Sequence, residues 1–96
     1  MNRTQVLDRL VASKPTLVDR YGVTALALFG STARDTARDD SDIDILVSFD
    51  GPATSERYFG VQFFLEDLLG RPVDLVTDKA VRPELRLFIE KEAVRV

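Results

Sequence analysis

Leu28-Phe29-Gly30-Ser31-Thr32-Ala33-Arg34-Asp35-Thr36-Ala37-Arg38-Asp39-Asp40-Ser41-Asp42-Ile43-Asp44-Ile45-Leu46-Val47 is the stretch that decides the fold of this 96-residue chain. An apolar run ends in Gly30-Ser31, ten residues follow, and Asp42-Ile43-Asp44 opens a second apolar run. The first run reads as a strand that stops at Gly30, where a short helix begins. Backbone N–H groups at a helix start are unpaired and sit at the positive end of its dipole, so they attract phosphate. Gly30 has no side chain to block that approach. Asp42 and Asp44 lie two apart on an expected strand, so both project from one face. Two adjacent carboxylates repel each other unless a cation sits between them, and a hard divalent ion such as Mg²⁺ suits oxygen donors. Each half of the pattern has a plain structural alternative, a turn for Gly-Ser and a solvated strand start for Asp-x-Asp. Both halves in this order and spacing arise by chance in on the order of one chain in a thousand of this length.

Outward from that stretch, the N-terminal side reads as two helices. Asn2 or Thr4 caps the first, and Val6, Leu7, Leu10 and Val11 recur at helical spacing. Ser13-Lys14-Pro15 interrupts it. Pro15 suits the first turn of a second short helix through Leu17, Val18 and Tyr21, which Gly22 ends. These helices read as a cover for the sheet, with a partner surface as the alternative. Val23 to Phe29 is a mostly apolar, buried strand. Thr32 to Ala37 reads as a short helix and Arg38-Asp39-Asp40-Ser41 as an exposed loop. Ile43, Ile45, Val47 and Phe49 form the apolar face of the next strand; Asp42, Asp44, Leu46 and Ser48 form the other. Asp50-Gly51-Pro52 is a turn.

On the C-terminal side, Ser55 to Leu69 is the longest helix, with Ser55 as its cap. Tyr58, Val61, Phe64, Leu65, Leu68 and Leu69 make its stripe, thickened by Phe59 and Phe63. The stripe reads as core, with a base-stacking platform as the alternative. Gly70-Arg71-Pro72 leads into a strand from Val73 to Thr77. Pro83 opens a last helix with Leu85, Phe88 and Ile89 inward, and Ala93 to Val96 is a short extended tail. The predicted class is α/β, a small mixed sheet with helices mainly on one face, in a single domain spanning residues 1–96.

Composition sets bounds. With 13 basic and 16 acidic residues the net charge is −3, which argues against broad nucleic-acid binding. No cysteine or histidine is present, so thiolate zinc sites and histidine acid–base catalysis are excluded. No run approaches a membrane span and the first residues lack a signal-peptide pattern, so a cytoplasmic protein is expected. No Gly-Lys-Ser/Thr occurs, so a Walker-type NTPase is disfavoured.

Asp74 is a charge on an otherwise apolar strand, costly to bury unless paired or metal-bound. An open-edge aspartate is the alternative. Ser31 reads as a helix cap, a phosphate ligand, or both. Arg34 reads as a surface arginine or a triphosphate ligand. Ser41 precedes Asp42 and could orient it.

Gly30-Ser31, ten residues, then Asp42-Ile43-Asp44 resembles the signature of the DNA polymerase beta-type nucleotidyltransferase superfamily. Nearly the whole chain is similar to the minimal nucleotidyltransferase branch, including Arg71-Pro72-Val73-Asp74-Leu75-Val76 and Arg82-Pro83-Glu84-Leu85-Arg86. The resemblance implies the nucleotidyltransferase fold and a third carboxylate, Asp74, on the strand after Asp-x-Asp. It implies that Asp42, Asp44 and Asp74 hold two Mg²⁺ ions, and that Gly30, Ser31, Arg34 and Ser41 serve a bound ATP. It implies AMP transfer to a hydroxyl, a tyrosine, of a HEPN-domain toxin, with this chain as the antitoxin in a hetero-oligomer. A non-catalytic binding subunit and the catalytic half of a small-molecule nucleotidyltransferase are the alternatives. One departure stands out. Similar proteins often have glycine where this chain has Asp35, which should adopt a left-handed conformation less readily and adds charge near the phosphate site.

Overall fold

The computed structural model describes residues 1–38 and 40–96. The expectation for Asp39 as an exposed loop residue falls outside them.

The N-terminal segment forms one helix, α1 (Arg3–Tyr21), rather than the two expected. Asn2 caps it, accepting from the Gln5 N–H while Gln5 returns a bond to the Asn2 N–H. Pro15 lies inside the helix. An interior proline costs about 3 kcal/mol. It is tolerated because the buried stripe Val6, Leu10, Ser13 and Leu17 continues past it, and each fully buried Val or Leu contributes about 1.5–3 kcal/mol. Pro15 itself faces solvent, as does Val11, whose carbonyl loses its helical donor.

Strand β1 (Val23–Phe29) follows, then the single turn α2 (Gly30–Ala33), β2 (Ile43–Phe49), α3 (Ser55–Leu69), β3 (Val73–Thr77), a 3-10 turn at Asp78–Ala80, α4 (Pro83–Glu92) and β4 (Val94–Arg95). The sheet order is β3-β2-β1-β4. β1 runs antiparallel to β2 and β4, and β2 runs parallel to β3. The parallel pair needs the α3 crossover between its strands. The C-terminal tail is thus a fourth strand, with the Val96 N–H donating to the Leu26 carbonyl and Lys14 Nζ to the Val96 carbonyl.

One sheet face carries Leu26, Leu28, Ile43, Ile45, Val47, Val73 and Leu75 and packs on α1 and α3 through Leu10, Leu17, Val61 and Leu65. Over the other face lie α4 and the 3-10 turn at Asp78–Ala80. Three expectations change here. Leu85 and Phe88 do not turn inward; they are 49% and 60% exposed, and no residue of α4 is buried. Phe59 and Phe63 do not thicken the core. They stack on each other at 6.1 Å on the solvent side of α3, because Val61, Leu65 and Leu69 already fill the inward stripe. The cap of α3 is Thr54, not Ser55. No helix among the described residues is long and apolar enough to cross a membrane.

Candidate active site

The strand register brings two of the predicted carboxylates side by side. Asp44 pairs with Phe29 on β1 and with Asp74 on β3. Partners across neighbouring strands share a face about 4.8 Å apart, so the Asp44 and Asp74 carboxyls meet at hydrogen-bonding range. Partial burial, the charge and hydrogen bond of Asp74, and the charge of Asp42 together push the Asp44 carboxyl from 3.8 up to about 6; Arg34 pulls the other way. Asp42 lies one residue before β2 and is exposed, and Asp74 is exposed as well.

Asp74 is held by its neighbours. β3 is an edge strand, and α3 side chains bond three of its backbone groups. Tyr58 Oη donates to the Leu75 carbonyl at 2.6 Å, Gln62 Nε2 donates to the Val73 carbonyl at 3.3 Å, and Glu66 Oε2 accepts from the Val73 N–H at 3.0 Å. Both residues flanking Asp74 are therefore pinned. Covering an edge in this way also blocks stray strand pairing.

Gly30 stands at the end of β1 with φ of 73°, and a Cβ there would overlap the Asp44 carboxylate. Glycine is required on both counts. Phe29 is the cap residue of α2 and supplies no side-chain bond, so Ser31 is not the cap; it lies within the turn. The helix is shorter than the expected Thr32–Ala37 because Asp35 ends it. Asp35 takes the left-handed conformation at φ 59°, its N–H bonds to the Thr32 carbonyl, and the Thr36 N–H bonds to the Ser31 carbonyl. That pair of bonds is a Schellman closure, usually built on glycine. Aspartate tolerates left-handed backbone better than most residues. Its Oδ1 accepts the Arg3 N–H at 3.3 Å, so its charge serves the positive end of α1.

Arg34 closes α2 and is ion-paired to Glu92 of α4 at 2.8 Å. Ser41 is occupied locally: its hydroxyl accepts from the Arg38 N–H at 3.0 Å. Arg71 Nη2 donates to the Ser41 carbonyl at 2.8 Å and to that of Arg38 at 3.1 Å. Arg71 thereby fastens the loop that delivers Asp42, a role the sequence does not signal. Glu92 and the three α3 side chains on β3 are equally silent in sequence.

The donor chemistry of Asp42, Asp44 and Asp74 is all oxygen and mutually repulsive, which suits a hard divalent cation. Partial burial first, and then the neighbouring Asp74 and Asp42, raise the Asp44 carboxyl. Among the described residues, no group of three acidic side chains is already closed around a cation position.

A nucleotidyltransferase domain family matches residues 13–96. A protein provisionally named as a protein adenylyltransferase from Methanocaldococcus jannaschii is 39% identical over 97 residues, covering 97% of this chain and 96% of that protein. The protein adenylyltransferase MntA of Thermococcus cleftensis is 37% identical, covering 91% and 88%. A solved structure described as a minimal nucleotidyltransferase superimposes with a TM-score of 0.86 at 35% identity, over 100% of this chain and 97% of that one. A chain from the tri-AMPylated Shewanella oneidensis HEPN toxin in complex with MNT antitoxin shares the fold, with a TM-score of 0.69 at 17% identity over 97% of this chain and 70% of that one. By matched length, identity and fold together, this chain belongs to the nucleotidyltransferase domain family, on its minimal branch.

Proposed function

We propose that this chain transfers AMP from ATP to a tyrosine hydroxyl of a HEPN-type toxin and so acts as its antitoxin. The observation that carries the reading is the Asp44–Asp74 pair on one sheet face, directly beside the Gly30–Ser31 turn. Close relatives named as protein adenylyltransferases support the reaction class, and the toxin–antitoxin complex that shares the fold supports the kind of partner.

In this reading Gly30 and Ser31 receive the terminal phosphates and Arg34 adds positive charge beside them. Asp42, Asp44 and Asp74 hold Mg²⁺, two ions between them. Divalent ions held there supply the charge that polarises the phosphates and the attacking oxygen. Asp74, on the outer strand, faces the incoming hydroxyl, and its carboxylate oxygen accepts the proton. The hydroxyl oxygen bonds to the α-phosphorus, the bond from that phosphorus to the bridging oxygen breaks, and pyrophosphate leaves with the electron pair. Ser41 and Arg71 keep the approach to Asp42 fixed.

The test is to incubate the partner toxin with ATP and Mg²⁺ and weigh it by intact mass spectrometry. The parent chain should add mass in whole AMP units. The double variant Asp42→Ala, Asp44→Ala should fold, add none, and fail to neutralise the toxin. Neutralisation by the double variant as strong as the parent's would mean inhibition by occupancy. The exposed apolar side chains of α4 favour that second reading.

A further inference from the structure

We propose that the cavity between α4 and the second sheet face seats the base of the bound nucleoside triphosphate, an inference that rests on the nucleotidyltransferase reading above.

The second face is laid out in rows across the strands. Phe29, Asp44 and Asp74 form one row; Ala27, Leu46 and Val76 form the next, with Arg95 of β4 beyond Ala27; Ala25 and Ser48 form a third. Rows on one face are two residues apart, about 6.7 Å. A cavity of about 190 Å³ lies over the second and third rows. Its floor is Ala25, Ala27, Leu46 and Ser48, and Ile89 of α4 forms its roof, with Arg86 at the rim.

Two features make this space fit a flat ring. Ala25 and Ala27 are small residues at strand positions that usually carry large or branched side chains, and their size creates the void. The ceiling is an aliphatic side chain and the rim is polar, so a planar heterocycle gains apolar faces and hydrogen-bonding edges together. Arg86 is steadied there by donating from Nη2 to the Asp78 carbonyl at 2.9 Å.

Direction decides the occupant. With the terminal phosphates at Gly30–Ser31 and the α-phosphate over Asp44 and Asp74, the nucleoside must leave that row. One way along the strands leads to Ser41, which Arg38 and Arg71 hold by hydrogen bonds. The other leads to the cavity, one row away. The acceptor hydroxyl needs the flank beside Asp74 on the outer strand, which the cavity leaves open.

The test fills the cavity without touching the phosphate site. Ala25 is exposed, so Ala25→Leu adds bulk to the floor outside the main core. Ser48→Val fills the same row from the neighbouring strand. Calorimetric titration compares Mg-ATP with Mg-tripolyphosphate, which lacks the nucleoside, on the parent and both variants. The expected result is about tenfold weaker ATP binding in each variant, with tripolyphosphate unchanged within about twofold. Equal ATP binding by parent and variants overturns the inference, as does parallel weakening of both ligands or a parent that binds tripolyphosphate as tightly as ATP. A parent that binds neither ligand overturns the nucleotidyltransferase reading itself, and the cavity assignment with it.

Discussion

Asp44 is the residue on which the site's electrostatics converge. Its carboxyl is raised to about 6 by partial burial and by Asp74 and Asp42. In metal-free protein the folded state therefore holds a proton between roughly pH 4 and 6 that the unfolded chain releases, so this group favours folding in acid. That contribution is present below its ordinary value of 3.8 and is lost as pH rises through about 6. Asp44→Asn, always neutral, removes it. In chelator, urea midpoints of the parent should fall relative to Asp44→Asn as pH rises across this window. The amplitude stays below that of a buried pair, because Asp44 is only half-buried and solvent screens it. A constant difference between the two proteins would show that neither burial nor the neighbouring carboxylates raise Asp44. The readable part of this site in sequence was what lies close along the chain: Gly30-Ser31 before a polar gap, and Asp42 with Asp44 on one strand face. The contact of Asp44 with Asp74 needed the parallel register. The pairing of Arg34 with Glu92 had no local signal, since only the return of β4 carries α4 over the sheet.

At the scale of elements, α1 shows how burial overrides a local breaker. Local chemistry reads Ser13-Lys14-Pro15 as a stop, and the apolar stripe on both sides reads as continuation; the stripe prevails because it is buried along the whole helix. Pro15→Ala restores one helical hydrogen bond and relieves the clash, while giving the unfolded chain more freedom. A net gain of about 1–2 kcal/mol is expected, seen as a higher urea midpoint at unchanged slope. Destabilisation would mean that the proline's stiffening of the unfolded chain outweighs the bond it removes. The α3 and α4 stripes mislead in the opposite sense. Helical spacing identifies an apolar face but not the depth of the layer beneath it. Val61, Leu65 and Leu69 exhaust the space under α3, and α4 buries no side chain on the second sheet face, so Phe59, Phe63, Leu85 and Phe88 stay in water.

At the scale of the whole molecule, an ion pair ties α4 to the turn that follows β1. Glu92 on α4 holds Arg34 at the end of α2, beside the row that carries Asp44 and Asp74. If Arg34 serves the triphosphate as proposed, the Glu92 carboxylate and the nucleotide compete for one charge. Glu92→Gln should tighten Mg-ATP binding a few-fold, about 0.5–1 kcal/mol, at a similarly small cost in stability because the pair is partly exposed. Arg34→Ala should weaken binding. Titration calorimetry on both variants separates them; equal affinity in all three proteins would remove Arg34 from the nucleotide's partners.

The late return of β4 orders events in time. β1 and β2 close across the short segment between them, and β3 joins through α3, whereas Ala27 must wait for Arg95 from the far end of the chain. Long-range closure is slower and entropically dearer than local closure. The paired aspartates are therefore framed before the helix above them arrives, and that helix brings no buried side chain to hurry it. Opening of the native protein should therefore begin at α4, with the paired aspartates still framed by β1, β2 and β3 beneath it.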